Sequence, residues 1–383
     1  MRRRSAILLA TTLMCLPPMA RGGHELPVYP SYYPHEIAIS SAAPQQAIEL
    51  LRAGKLHAYV GRGVRFPDNP TATIGSVESL GSFVVIRLNA NAALAKAPAS
   101  ACAAMRALLR SMADRAGELI LHPYPVTPYH GDYLYHADLA AAARVRLLGE
   151  ADAAARVGQA LRVKSDTPLA RSLIRPEWLS ADGRWDAAIE EIDARDLLSS
   201  AALMTNAWLA PRALRSGWFH AYRLLADALD DATAQREIRA DFERLDHARY
   251  DTGVERINLE RDLVKALTTG CRAVVAGYTV KREYFNAEFS AGVENIGYDT
   301  LTGLASPMFL RTVKLKDFPW NGWLQLGIGS RPDAAWNPIA GFSDPFGRLM
   351  WFAIADPAVI PAPYDSGWML NRFSEVQAMP QPP

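Results

Sequence analysis

The sequence predicts an α/β chain large enough for two lobes, with helices concentrated in the second. Segment 36–61 reads strand, helix, strand. An apolar run, FVVIRL, follows at 83–88. The stretch from 137 to 267 is then a succession of Ala/Leu/Arg-rich amphipathic segments. Half of the 383 residues are hydrophobic, enough to bury the cores of two units of ordinary domain size.

Taken in order, the chain opens with Arg2, Arg3 and Arg4 before an apolar run at 6–16, too short to span a bilayer as a helix. A small-residue exit at 20–23 follows, so 1–23 reads as a cleavable secretory signal and the mature chain as exported. Met14 before Cys15 argues against a lipid anchor. The whole chain carries a formal charge of +1, and the leader holds four arginines and no acid, which leaves −3 beyond it. That excludes a nucleic-acid partner, which requires a basic field.

The stretch 36–40 is strand-like, 44–53 is a helix with Pro44 in its first turn, and Gly54 stops it before a second strand at 56–61. A β-α-β unit implies a right-handed crossover and a parallel sheet. Gly61-Arg62-Gly63 then lies at the carboxyl edge, where open α/β sheets bind ligands. SLGSFVVIRLN supplies a further strand, 99–117 a helix and 118–122 a strand. HPYPVTPYHGDYLYHAD (122–138) cannot be helical around Pro123, Pro125 and Pro128 and is biased to extended backbone. It reads as the connector out of a first lobe at 24–122. A helix-rich second lobe at 123–268 has helices at 137–162, 185–198, 218–229, 234–250 and 259–267. CRAVVAGYTV returns as a strand, opening a final segment, 269–383, that becomes rich in Trp, Pro and Gly.

Beyond Cys15, only Cys102 and Cys271 remain. Each sits in an apolar segment and reads as a separate buried thiol, with one long-range disulfide as the alternative in an oxidising compartment. His122, His130, His136, Asp132 and Asp138 are residue types that bind zinc or copper. Their spacing matches no metal motif and polyproline-like backbone scatters side chains, so they read as structural or pocket-polar groups, with no metal and no cofactor. Neither Gly-x-Ser-x-Gly nor a P-loop is present, and Ser82 and Ser366 lack a recognisable base, so no enzyme is expected. In KSDTPLARS, Ser165 or Thr167 reads as a helix cap before Pro168, with an anion cradle as the alternative.

The exported leader, the β-α-β start, LLRAGKLHAYVG, an extended crossing and a late strand together resemble periplasmic solute-binding proteins. The phosphonate-type group is nearest, and the resemblance covers mainly 32–130. It implies a ligand cleft between two lobes and an inner-membrane transporter as partner. The hydroxyl cluster with which that family holds anions is missing, while Tyr124, Tyr129, Tyr133 and Tyr135 crowd the connector and Trp208 follows Asn206. The chain therefore looks more like the periplasmic components of bacterial sterol transport, which implies a small, largely apolar, sterol-like ligand. The alternatives are a polar or anionic solute of an ABC importer, or a metal-binding periplasmic protein. The candidate ligand-binding residues are Ser40, Gly61, Arg62, Ser82, Glu118, Tyr124, Thr127, Tyr129, Asn206 and Trp208.

Overall fold

The computed structural model describes residues 34–67, 72–149, 161–180, 183–199, 212–229, 231–317, 322–332, 344–355, 359–363, 365 and 367–370. The chain is α/β, built on one mixed sheet. Strand β1 (Glu36–Ser41) and helix α1 (Pro44–Arg52) lead into β2 (Ala58–Val60). Both strands run parallel to β10 (Trp323–Ile328), which lies between them and follows the short antiparallel pair β8 (Val293–Glu294) and β9 (Lys314–Leu315). The β-α-β unit is therefore real, but a strand from the far end of the chain fills its middle.

Two long antiparallel strands, β3 (Ile74–Leu88) and β7 (Ala273–Asn286), organise everything else. The late part of β7 pairs with β2, at Tyr284 and Phe285. Its early part pairs with β4 (Leu119–Leu121), at 277–279. On the opposite side, the second half of β3 pairs with β6 (Ala187–Asp193), and β6 with β5 (Val163–Ser165). The sheet thus has two halves threaded by the same two strands.

The cores divide accordingly. In one half, α1 and Leu56, Tyr59 and Tyr284 cover one face of the sheet. The other face carries Val60, Leu326, Phe309, Trp351 and Phe352. In the other half, β3 alternates as a central strand must. Phe83 and Val85 meet Tyr124, Val126, Trp218 and Leu263, while Val84, Ile86 and Leu88 meet Met105, Leu109, Val163 and Val274. The helices are concentrated in this second half, notably α2 (Pro98–Ala113), α3 (Ala137–Leu148), α6 (Gly217–Leu225), α7 (Ala232–Asp246) and α8 (Gly253–Thr269), with α4 (Pro168–Ser172) and α5 (Ala194–Ser199) shorter.

Several expectations need correcting. Segment 185–198 is half strand, 187–193, and turns helical only from Ala194: its apolar residues Ala187, Ala188 and Ile189 find a long partner in β3, and pairing across seven positions outweighs helix propensity there. The chain passes between the two halves of the sheet at Gly81–Ser82 of β3; in 122–138, Pro123 and Pro125 are buried in the helical half while Pro128 is exposed. The expected boundary at 122 falls within the second core, where β4 pairs with β7. Cys102 and Cys271 are not separate thiols but a disulfide, with Cα atoms 4.9 Å apart and a sequence separation of 169.

At the crossing, Leu80 pairs with Val280 and Phe83 with Tyr278, so Gly81 and Ser82 together oppose Thr279 alone. Such a bulge bends and twists a strand. Gly81 is required there by proximity: a Cβ would lie 2.5 Å from Thr279 Oγ1 and 2.8 Å from its carbonyl oxygen.

Candidate functional site

Between the positions where β7 pairs with β4 and with β2, residues 280–283 carry no strand partner on that edge among the described residues. A cavity of about 750 Å³ opens there, between the two halves of the sheet. From the first half it is lined by Arg62, Gly63, Val64 and Arg65 after β2, and by Glu78 of β3. From the second half come Glu118 and Ile120 around β4, Glu191 of β6, and Pro168 and Leu169. The crossing strands add Gly81, Thr279, Lys281 and Arg282.

Arg62 stands at the centre of the charges. Its Nη1 is 2.9 Å from Asp193 at the end of β6, and Nη2 donates to the Gly81 carbonyl at the crossing. Its Nε is buried without a hydrogen-bond partner. Burial disfavours its charge and Asp193 opposes that. Burial also works against the Asp193 carboxylate, but hydrogen bonds from Arg195 and the charge of Arg62 hold it below the ordinary carboxylate range. The loop is positioned from behind: the Gly61 N–H donates to Glu283 Oε1 at 3.1 Å, and Gly63, at φ +83°, adopts a backbone that L side chains avoid. Glu283 also accepts from the Leu304 N–H at 2.7 Å and lies 3.2 Å from Lys281 Nζ.

A second ion pair crosses the cleft, Arg65 to Glu118 at 2.6 Å, and Arg282 pairs with Glu78 across the two long strands. Ser82 Oγ donates to Glu191 Oε1 at 2.8 Å, and the Ser82 N–H donates to Thr279 Oγ1 at 2.9 Å. Tyr129 lies nearby, packed edge-on against Tyr278 with ring centroids 5.8 Å apart. Burial, with the Glu78 charge, pushes its hydroxyl up to about 12.

Of the expected ligand-binding residues, the structure brings Arg62 and Glu118 into the cavity wall, with Gly61 and Ser82 directly behind it. Ser40 is exposed on the edge strand β1, away from the cavity. Tyr124 and Thr127 are buried in the helical half and do not line it. Asn206 and Trp208 lie outside the described residues, as do Trp320 and Trp336. Arg65, Glu78, Glu191, Lys281 and Arg282 were missed. The signal for two of them was in TVKREY, where the charged run Lys281-Arg282-Glu283 interrupts a largely apolar strand.

The segment 122–138 builds a different polar cluster. The Thr127 N–H donates to His130 Nδ1 at 2.9 Å, His130 Nε2 lies 2.8 Å from His220 Nδ1, and His220 Nε2 lies 2.9 Å from the Leu214 carbonyl oxygen. Both oxygens of Asp132 accept from the Gly217 N–H, at 3.0 and 2.9 Å, at the start of α6. Tyr124 Oη is 3.0 Å from His136 Nδ1. Asp138 pairs with Arg261 at 2.7 Å, and His122 Nε2 is 2.9 Å from the Val126 carbonyl. Of the five groups considered as metal ligands from sequence, only Asp132 and His136 come together, and Glu260 of α8 joins them. In KSDTPLARS, Thr167 caps α4 by accepting from the Ala170 N–H at 3.2 Å.

No protein-family model matches the sequence, and no curated protein does. Among solved structures, the chain is similar to NikA from Brucella suis in complex with Fe(III)-EDTA, at 14% identity and a TM-score of 0.41, over 71% of this chain and 60% of that one. It is similar to the periplasmic binding protein DppA from Helicobacter pylori in complex with the peptide STSA, at 13% identity and 0.40, over 72% and 55%. For the Haemophilus influenzae OppA complex with RPPGFSPFR the values are 12% and 0.38, over 72% and 57%. The chain spans little more than half the length of these proteins.

Proposed function

We propose that the chain is an exported solute-binding protein that holds a small charged or zwitterionic solute in the cleft and passes it to a membrane importer of the ABC type. The observation that carries this is the cavity wall, in which Arg62, Arg65, Lys281 and Arg282 face Glu78, Glu118 and Glu191, drawn from both halves of the sheet. Ligand carboxylates are recognised by guanidinium forks and ligand ammonium groups by carboxylates. A solute entering here exchanges partners with ion pairs already spanning the cleft, so binding and the approach of the halves are coupled.

The same wall argues against the sterol-like ligand expected from sequence. Seating a flat apolar body against these side chains would strip water from charges and return no hydrogen bonds, a large cost. The apolar lining, chiefly Val64, Ile120, Leu169 and Val280, is too scattered to repay it. Export is supported by the disulfide, which belongs to oxidising compartments, and by the leader-like start of the sequence. Among the described residues no helix is long and apolar enough to cross a membrane.

The test is calorimetric titration of purified protein with amino acids, short peptides and dicarboxylates, and separately with sterol-like lipids, at low and high salt. The proposal predicts that a charged solute binds, that its affinity falls as salt rises, and that Arg62→Ala weakens it by roughly 10- to 100-fold, the scale of a lost charge-assisted hydrogen bond. Salt-insensitive lipid binding, with none of the charged solutes bound, would overturn it.

A further inference from the structure

We propose that Asp132, His136 and Glu260 form a binding site for a divalent transition ion of the zinc class, within the helical half and separate from the solute cleft. Asp132 and His136 flank the single turn Tyr133–Tyr135, and that spacing returns two side chains to the same side of a turn. Glu260 comes from the buried face of α8. One donor atom from each residue lies within 4.8 Å of the other two, and all three residues are buried, His136 completely. Tetrahedral zinc with bonds of about 2.0–2.2 Å separates its donors by about 3.4 Å, a contraction within reach of side-chain rotation.

A second, independent observation comes from His136 itself. Its Nδ1 is engaged by Tyr124 Oη at 3.0 Å, while its Nε2 is buried with no hydrogen-bond partner. Buried ring nitrogens are rarely left so. If Nδ1–H donates to the tyrosine, Nε2 carries a lone pair, the arrangement in which a metal-bound histidine is held by an outer partner. The surrounding contacts fit that pattern. Arg256 holds Glu260 at 2.6 Å, and the Gly217 N–H holds Asp132.

The charges point the same way. Burying two carboxylates this close is costly unless a proton or positive charge offsets them. Arg256 lies on Glu260, whereas Arg261 is taken up by Asp138 and the Tyr135 carbonyl. A divalent ion neutralises the group. It would tie segment 122–138 to α8 and, through the Asp132 contact with Gly217, to the start of α6.

The probe is zinc alone, added to the full chain after dialysis against a chelator. Calorimetry and metal analysis after gel filtration should find one equivalent per chain, with the melting temperature rising as zinc is restored. His136→Gln and Glu260→Gln should each weaken zinc by at least about 100-fold, and Tyr124→Phe by about 10-fold, following the cost of losing a ligand or an outer partner. Arg62→Ala, in the cleft, should leave zinc binding unchanged. Because the buried variants can fail to fold, wild-type crystals grown with zinc provide a separate reading, with an anomalous peak expected among the three side chains. Wild-type protein that takes up no stoichiometric zinc, or a peak only on exposed histidines such as His35 or His247, would overturn the proposal.

Discussion

Lowering the pH from 7 to 4.5 should destabilise the helical half through His130 and His220. Both rings are fully buried. The Thr127 N–H occupies His130 Nδ1, which makes His130 Nε2–H the donor to His220 Nδ1 and His220 Nε2–H the donor to the Leu214 carbonyl. Each ring nitrogen is satisfied while both rings are neutral; a proton added at His130 Nδ1 displaces the Thr127 N–H and finds only the Thr127 hydroxyl, 3.1 Å away. Burial lowers His130 to about 3 and His220 well below its ordinary value. With folded values depressed, the unfolded chain takes up protons first, so the stabilisation is complete above about pH 6.5 and declines as pH falls toward the folded values. Two units below 6.5 the His130 ring alone costs about 2.7 kcal/mol, and His220 acts in the same sense. Burial shifts Asp132 upward, which acts in the opposite sense, while burial also lowers His122 and His136. The measurement is urea unfolding between pH 7 and 4.5 for wild type and the His130→Gln/His220→Gln double variant. The variant should start less stable but depend on pH less steeply, by about two protons. Equal slopes would refute the neutral-pair assignment.

Three other perturbations follow from the fold. Replacing Cys102 and Cys271 by serine, or reducing the wild type, should lower the unfolding free energy by about 2–5 kcal/mol, because the bridge closes a long loop; an unchanged denaturation midpoint would contradict it. Gly81→Val should cost about 1–3 kcal/mol by forcing Thr279 aside at the bulge and should weaken solute binding as well, read by denaturation and calorimetry. Arg215→Met leaves the buried Asp299 carboxylate without its 2.5 Å partner and should cost about 3–5 kcal/mol, measured as a fall in unfolding free energy.

Local patterns made much of the fold legible. Pro44 and Gly54 mark the ends of α1, FVVI gives a strand buried on both faces, and the charged periodicity of 234–250 gives α7. What was hidden is long-range. Nothing near 36–61 announces that β10, more than 250 residues later, enters between β1 and β2. The Trp185 segment reads as helix until β3 is present to pair with it. The cleft was half legible: Arg62 follows a strand at a sheet edge, a position with a structural rule behind it. Glu191 acquires meaning only when two strands cross. The tyrosines and histidines of 122–138 misled because residue type suggested a lining while their neighbours, Pro123, Pro125 and Val126, were signals of a buried core.

The central claim is that the cleft holds a charged solute. Its most direct test is native mass spectrometry of the protein purified from its own host, before and after a high-salt wash. The account predicts a small adduct that salt releases and that is absent from Arg62→Ala. A lipid-mass adduct retained through the salt wash and unaffected by that substitution would contradict it.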